Sequence, residues 1–183
     1  MKKNIFILGG SLREKSYNKF LASNLVDIGK DKFNFKIFSD FNLLPMYNTD
    51  DHSQDKWPEI LIEIGENIKN SDGVIFVTPE YNFSVPGYLK NCIDWISRLP
   101  NQPLDRKPVC IQSASLGPLG GARVQYHLRQ ILVFLNAKMM NKNEIFVTFA
   151  KMKFDETSGK LIDEQTISFI KDQLNAFDNF IDE

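Results

Sequence analysis

The chain has 183 residues, 43% of them hydrophobic and 25% charged, which is the make-up of one soluble globular domain. A net charge of −1 and a pI near 6.2 exclude the basic field of a nucleic-acid or anionic-membrane binder, so an anionic ligand has to be gripped locally. Met1-Lys2-Lys3-Asn4 opens onto an apolar run too short for a signal peptide or a membrane span, and a cytoplasmic protein is expected.

Ile5-Phe6-Ile7-Leu8 is an uninterrupted apolar run, the pattern of a strand buried on both faces in the middle of a parallel sheet. It stops at Gly9-Gly10. Ser11, Arg13, Ser16 and Asn18 then supply two hydroxyls, a guanidinium and a carboxamide where a helix begins and its first N–H groups lack partners. A phosphate monoester is the natural guest of such a loop. Ser and Asn also have an ordinary use there as helix caps. The spacings of the dinucleotide fingerprint and of the P-loop are both missing.

Phe20, Leu21, Leu25 and Ile28 recur at helical spacing and Gly29 ends the helix. Phe33 to Phe38 is a shorter strand nearer the sheet edge. Phe41 to Asn48 runs into Asp50, Asp51 and Asp55, a loop that either covers a partner surface or packs on the protein's own body. Pro58 opens a second helix striped by Ile60, Ile64 and Ile68, with Leu61 beside them, ending near Asn70. Gly73 to Thr78 is a second central strand. It meets Pro79-Glu80-Tyr81-Asn82-Phe83-Ser84-Val85-Pro86-Gly87, where Pro86 starts a helix with Ser84 as its expected cap. That helix buries Leu89, Cys92, Ile93, Ile96 and Leu99 and carries Asp94 and Arg98 one turn apart on its outside.

Pro108 to Ser113 is the fourth strand, and the loop to Arg123 holds Gly117, Gly120 and Gly121, which permit positive φ or close backbone approach. Tyr126 to Ala137 is a helix apolar around much of its circumference, expected to face another subunit as well as the sheet. Lys138 to Met140 and Ile145 to Val147 form the last strand region. A polar turn at Asp155 to Lys160 precedes a closing helix from about Asp163 to Ile181. Cys92 and Cys110 lie in apolar stretches and His52 and His127 stand apart, so no metal cluster or Ser/Cys–His hydrolase has its spacing.

Five strands alternating with five helices, without a composition break, predict one α/β domain over residues 1–183. Right-handed crossovers then give a doubly wound, three-layer sandwich with a five-stranded parallel sheet in the order 2-1-3-4-5. Strands one and three meet at the switch point, so the loops after strands one, three and four converge on one crevice.

Three motifs in this order, Gly10-Ser11-Leu12-Arg13 with Ser16 and Asn18, Thr78-Pro79-Glu80-Tyr81-Asn82 with Ser84-Val85-Pro86-Gly87, Lys90-Asn91 and Asp94-Trp95, and Ser113 with Gly117 and Gly120-Gly121-Ala122-Arg123, resemble the flavodoxin-like NAD(P)H-dependent FMN reductase and quinone reductase family. The family includes bacterial chromate and azo-dye reductases. The resemblance implies that Ser11, Arg13, Ser16 and Asn18 hold the FMN phosphate. It sets Pro79, Glu80, Tyr81 and Asn82 along the isoalloxazine, and Ser113, Gly117, Gly120 and Gly121 on its other side, leaving a face open for nicotinamide. It implies a ping-pong hydride transfer from NAD(P)H through FMN to quinones, flavins, azo compounds or similar small acceptors, with no side-chain acid or base assigned. A homodimer or homotetramer is expected, with Tyr126, Arg129 and Gln130 at the contact and Glu80 pairing with Arg123 across it. The other reading is a flavodoxin-type electron carrier serving a protein partner; the near-neutral charge and Arg13 favour the reductase.

Overall fold

A computed structural model describes residues 1–9, 11–52 and 57–183, with the His52 side chain left out; Gly10 of the first motif and Asp55 of the acidic patch lie outside the described residues. The strands are β1 (Lys3–Gly9), β2 (Phe33–Phe38), β3 (Gly73–Val77), β4 (Pro108–Ala114), β5 (Lys138–Met139) and β6 (Ile145–Val147). The helices are α1 (Tyr17–Gly29), α2 (Thr49–His52), α3 (Glu59–Asn70), α4 (Gly87–Ile96), α5 (Ala122–Phe134), α6 (Ala150–Lys153) and α7 (Glu164–Asp182).

The sheet is parallel in the order β2-β1-β3-β4-β5, as expected, and β6 also pairs with β4. The fifth strand is therefore two short pieces. Lys138 and Met139 pair with Pro108 and Val109, while Ile145 to Val147 pair with Gln112 to Ala114. Between them the chain arches away, and Arg129 holds the arch by donating to the Met140 carbonyl at 3.1 Å and to Asn141 Oδ1 at 3.0 Å.

Alternating residues of each central strand feed two cores. Phe6, Leu8, Val74, Phe76, Val109 and Ile111 pack under α3, α4 and α5. Ile5, Ile7, Ile75, Val77 and Cys110 pack under α1 and α7. Residues 5–8 are at most 1% exposed, which is why their pattern is continuous and not alternating. Both cysteines are buried, and burial alone pushes the Cys92 thiol up.

The segment after β2 packs on the protein's own body. Phe41 and Leu44 enter the core, and the Pro45 carbonyl accepts from Asn91 Nδ2 and Trp95 Nε1, each at 2.9 Å. Leu43 and Met46 stay exposed. On α4, Asp94 pairs with Lys90 at 2.6 Å, one turn back, while the Arg98 guanidinium lies 5.6 Å from the Tyr47 ring centre.

Candidate functional site: the rim at the carboxyl edge of the sheet

Three connections leave the carboxyl ends of β1, β3 and β4 and meet at the β1/β3 switch point. The first runs from Ser11 to α1. Ser16 is the cap of that helix, its Oγ accepting the Asn18 N–H at 3.2 Å, which uses its oxygen and leaves its proton to give. Ser11 is buried, and its Oγ accepts the Arg13 N–H at 3.2 Å and shares a hydrogen bond of 3.2 Å with the Tyr81 hydroxyl. Arg13 is exposed, and among the described residues its guanidinium has no hydrogen bond or ion pair.

Asn18 has a task that spacing did not reveal. Its Nδ2 donates to the Ala114 carbonyl and its Oδ1 accepts the Ala114 N–H, both at 2.9 Å. The carboxamide thus stitches the first turn of α1 to the end of β4. Its second amide hydrogen has no hydrogen bond among the described residues.

The second connection is a tight two-residue turn. Tyr81 and Ser84 exchange backbone hydrogen bonds at 3.1 and 2.9 Å, and Asn82 and Phe83 between them have φ of 50° and 66°. Both central residues in the left-handed region make this a type I′ turn, which Asn tolerates and Phe does not favour. The turn holds the Asn82 carboxamide and the Phe83 ring out at the rim, with Arg123 4.0 Å above the ring centre.

The Glu80 carboxylate is engaged within the chain. It accepts from Arg123 Nη1 at 3.2 Å and from the Val124 N–H at 3.3 Å, so it occupies the positive end of α5. The Glu80–Arg123 pair expected across a subunit contact forms within one chain. Ser84 does not cap α4 either: Pro86 holds the cap position, and Ser84 Oγ lies 2.9 Å from His127 Nδ1.

The third connection divides in two. Gly117 is part-exposed with open space where a Cβ would stand. Gly120 and Gly121 are buried instead, with φ of 58° and 86°; a Cβ on Gly120 would come within 2.6 Å of the Phe146 carbonyl carbon, and one on Gly121 within 2.7 Å of Ser113. Ser113 donates to the Gly120 carbonyl at 2.6 Å and accepts from Gln125 at 2.7 Å. These residues therefore brace the loop from behind. The glycine pair takes both the positive φ and the close backbone approach that the sequence allowed.

Phe149, which no motif marked, also reaches the rim. Its N–H donates to the Gly117 carbonyl at 3.2 Å, and it is half-exposed with φ of 48°, a strained setting for an aromatic residue. Leu12, Tyr81, Phe83, Leu116 and Leu119 are exposed along the same edge. A cavity of about 440 Å³ between α3 and the 99–107 connection, and one of about 460 Å³ between residues 139–143 and α7, are lined by none of these groups.

The fit to FMN can be judged from the donors. A cation and a helix start with protons to spare suit a phosphate tail, and a spare carboxamide with an apolar edge and a bare glycine suits a flat ring. The residues fit.

A doubly wound parallel sheet with this rim at its switch point defines the flavodoxin-like class. Residues 3–151 match the family model described as NADPH-dependent FMN reductase. The chain is 46% identical over 180 residues to a quinone reductase of Escherichia coli (strain K12), covering 98% of this chain and 96% of that one. It is 40% identical over 178 residues to an NAD(P)H-dependent FMN reductase of Pseudomonas aeruginosa, covering 96% and 95%. A solved flavoenzyme NAD(P)H:(acceptor) oxidoreductase of Paracoccus denitrificans superposes with a TM-score of 0.88 at 31% identity, over 98% of this chain and 97% of that one. The chain belongs to the NADPH-dependent FMN reductase family and is an FMN-dependent oxidoreductase. No helix among the described residues is long and apolar enough to cross a membrane.

Proposed function

We propose that the rim holds FMN with its phosphate at residues 11–18 and its ring along Pro79–Asn82 and Gly117, and that the protein spends NAD(P)H on quinones and similar small acceptors. FMN, when bound, takes up a hydride and releases the electrons to an acceptor. The observation that carries this reading is the pair of unspent polar side chains, Arg13 and Asn82, on two loops that touch through Ser11 and Tyr81.

Each residue has a distinct part. Arg13 pairs with the phosphate, and Ser16 adds its remaining proton beside the first N–H groups of α1. Asn82 and the backbone of its turn fix the polar edge of the ring. Gly117 leaves clearance for a nicotinamide to lie flat. Ser11 and Asn18 pin the phosphate loop to its neighbours, while Glu80, Ser113, Gly120 and Gly121 support the other two loops. Hydride transfer then asks only for alignment, and no side chain is assigned a proton-transfer role.

The chain works as a single flavin-binding unit over residues 1–183, in the cytoplasm, where pyridine nucleotides circulate. The outer face of α5 leaves Tyr126, Val133 and Phe134 exposed, and this face is the proposed contact of a homodimer or homotetramer. Sedimentation as a monomer at micromolar concentration with FMN bound would remove that contact.

The activity is tested by mixing FMN-loaded protein with NADPH without oxygen. Rapid bleaching of the flavin absorbance, restored by a quinone, is expected. A flavin that stays oxidised points to an electron carrier, and a protein that cannot be loaded with FMN overturns the reading.

A further inference from the structure

Two phenylalanines at the rim adopt backbone angles that aromatic residues disfavour, Phe83 with φ of 66° and Phe149 with φ of 48°. Their situations differ. The Phe83 ring has the Arg123 guanidinium 4.0 Å above its centre, so its outward position is matched by a contact within the chain. Phe149 is 49% exposed, and among the described residues no ring or cation stacks on it.

The Phe149 backbone is tied down on both sides. Its own N–H donates to the Gly117 carbonyl at 3.2 Å, the Ala150 N–H donates to the Ser115 carbonyl at 2.9 Å, and the Ser115 N–H donates to the Val147 carbonyl at 3.0 Å. These bonds lace residues 147–150 to residues 115–117 and hold Phe149 next to Gly117. Burial does not offset the unfavourable φ, because half of the residue stays in water. Strain of this kind, over-determined by its surroundings, gathers where ligands are gripped. Gly or Asn would take the same backbone more easily. What phenylalanine adds there is a flat apolar face.

The surroundings say what such a face suits. Gly117 has open space where a Cβ would stand, and Leu116 and Leu119 on the same loop are exposed. A flat apolar molecule seated at Gly117 would remove Phe149 from water, and ring against ring adds to the gain from buried area. A hydrated inorganic acceptor gains nothing from the same wall.

We propose that Phe149 is a specificity-determining residue for the electron acceptor: its ring is an apolar wall beside Gly117 that favours flat aromatic acceptors, the quinone class, over hydrophilic ones. This deepens the proposed function and rests on it. Phe149 supplies contact and takes no part in moving electrons or protons.

Phe149→Asn removes the ring and keeps a residue that accepts the left-handed backbone. FMN-loaded wild type and variant, both oxidised and without NADPH, are titrated with menadione by the perturbation of the flavin absorbance. The Kd for menadione is expected to rise about five- to tenfold in Phe149→Asn, while the urea midpoint holds or rises. In turnover, the ratio of kcat/KM for menadione to kcat/KM for ferricyanide should fall by the same factor, and Phe149→Tyr should restore it. An unchanged Kd, a ratio that does not move, or a wild-type spectrum that menadione does not perturb overturns the proposal. A variant that fails to fold does so too, since the ring would then belong to the core. Wild type that takes up FMN and is bleached by NADPH confines any such failure to Phe149; wild type that takes up no FMN sinks the proposed function itself, and this wall with it.

Discussion

The loops after β1 and β4 contain similar small and polar residues, yet they do opposite work. In the loop after β1, Arg13 reaches solvent with its guanidinium unspent. In the loop after β4, Ser113 is buried and committed to the Gly120 carbonyl and to Gln125, and Gly120 and Gly121 are packed against Phe146 and Ser113. One loop leaves its guanidinium without a hydrogen bond or ion pair among the described residues; the other consumes its polar groups in holding its own shape. Residue type alone does not separate these uses, but what each group already touches does.

That contrast breaks most easily at Gly120. Gly120→Ala forces a side chain onto positive φ and into backbone, and should cost on the order of 4 kcal/mol, read as a large drop in the urea midpoint or as insoluble protein. Asn18→Ala leaves the buried Ala114 N–H and carbonyl without partners, and a loss of about 2–3 kcal/mol in stability is expected from the same denaturation curve. A loss within 0.5 kcal/mol, of the order of ordinary surface changes, would mean that the stitch between α1 and β4 is dispensable. Arg13→Ala moves in the other coordinate. It should leave the urea midpoint alone and weaken FMN binding by about 2 kcal/mol, roughly thirtyfold, in a fluorescence titration. Smallest of all, Gly117→Ala has room and no positive φ, so stability should stay within about 0.5 kcal/mol of wild type. If Gly117→Ala unfolded the protein as Gly120→Ala does, the division of that loop would be wrong.

Much of the architecture was readable because burial writes itself into apolar runs. Residues 5–8 and 73–77 lose nearly all exposure on both faces, which leaves no polar positions and marks them as central strands. The switch point and the three convergent loops followed from handedness. The last strand region was read as two pieces, Lys138 to Met140 and Ile145 to Val147, but not the way Arg129 reaches from α5 to the Met140 carbonyl between them, a contact with no local pattern.

At the rim, the motifs marked the loops that meet there but not the partner of each side chain. Glu80 and Arg123 were recognised as a pair and placed between subunits, whereas the turn after β3 sets them against each other in one chain. Ser84 looked like a helix cap because it lies shortly before Pro86, but it bonds His127 across to α5. Phe149 carried no signal at all: an aromatic at positive φ is a property of tertiary placement.

The central claim is that the unspent groups at the start of α1 are there for a phosphate, and a crystal structure grown with FMN tests it directly. The expected density places the phosphate at the amino end of α1 with Arg13 bonded to it and the ring beside Asn82 and Gly117. A flavin bound with its phosphate away from residues 11–18 would contradict the account.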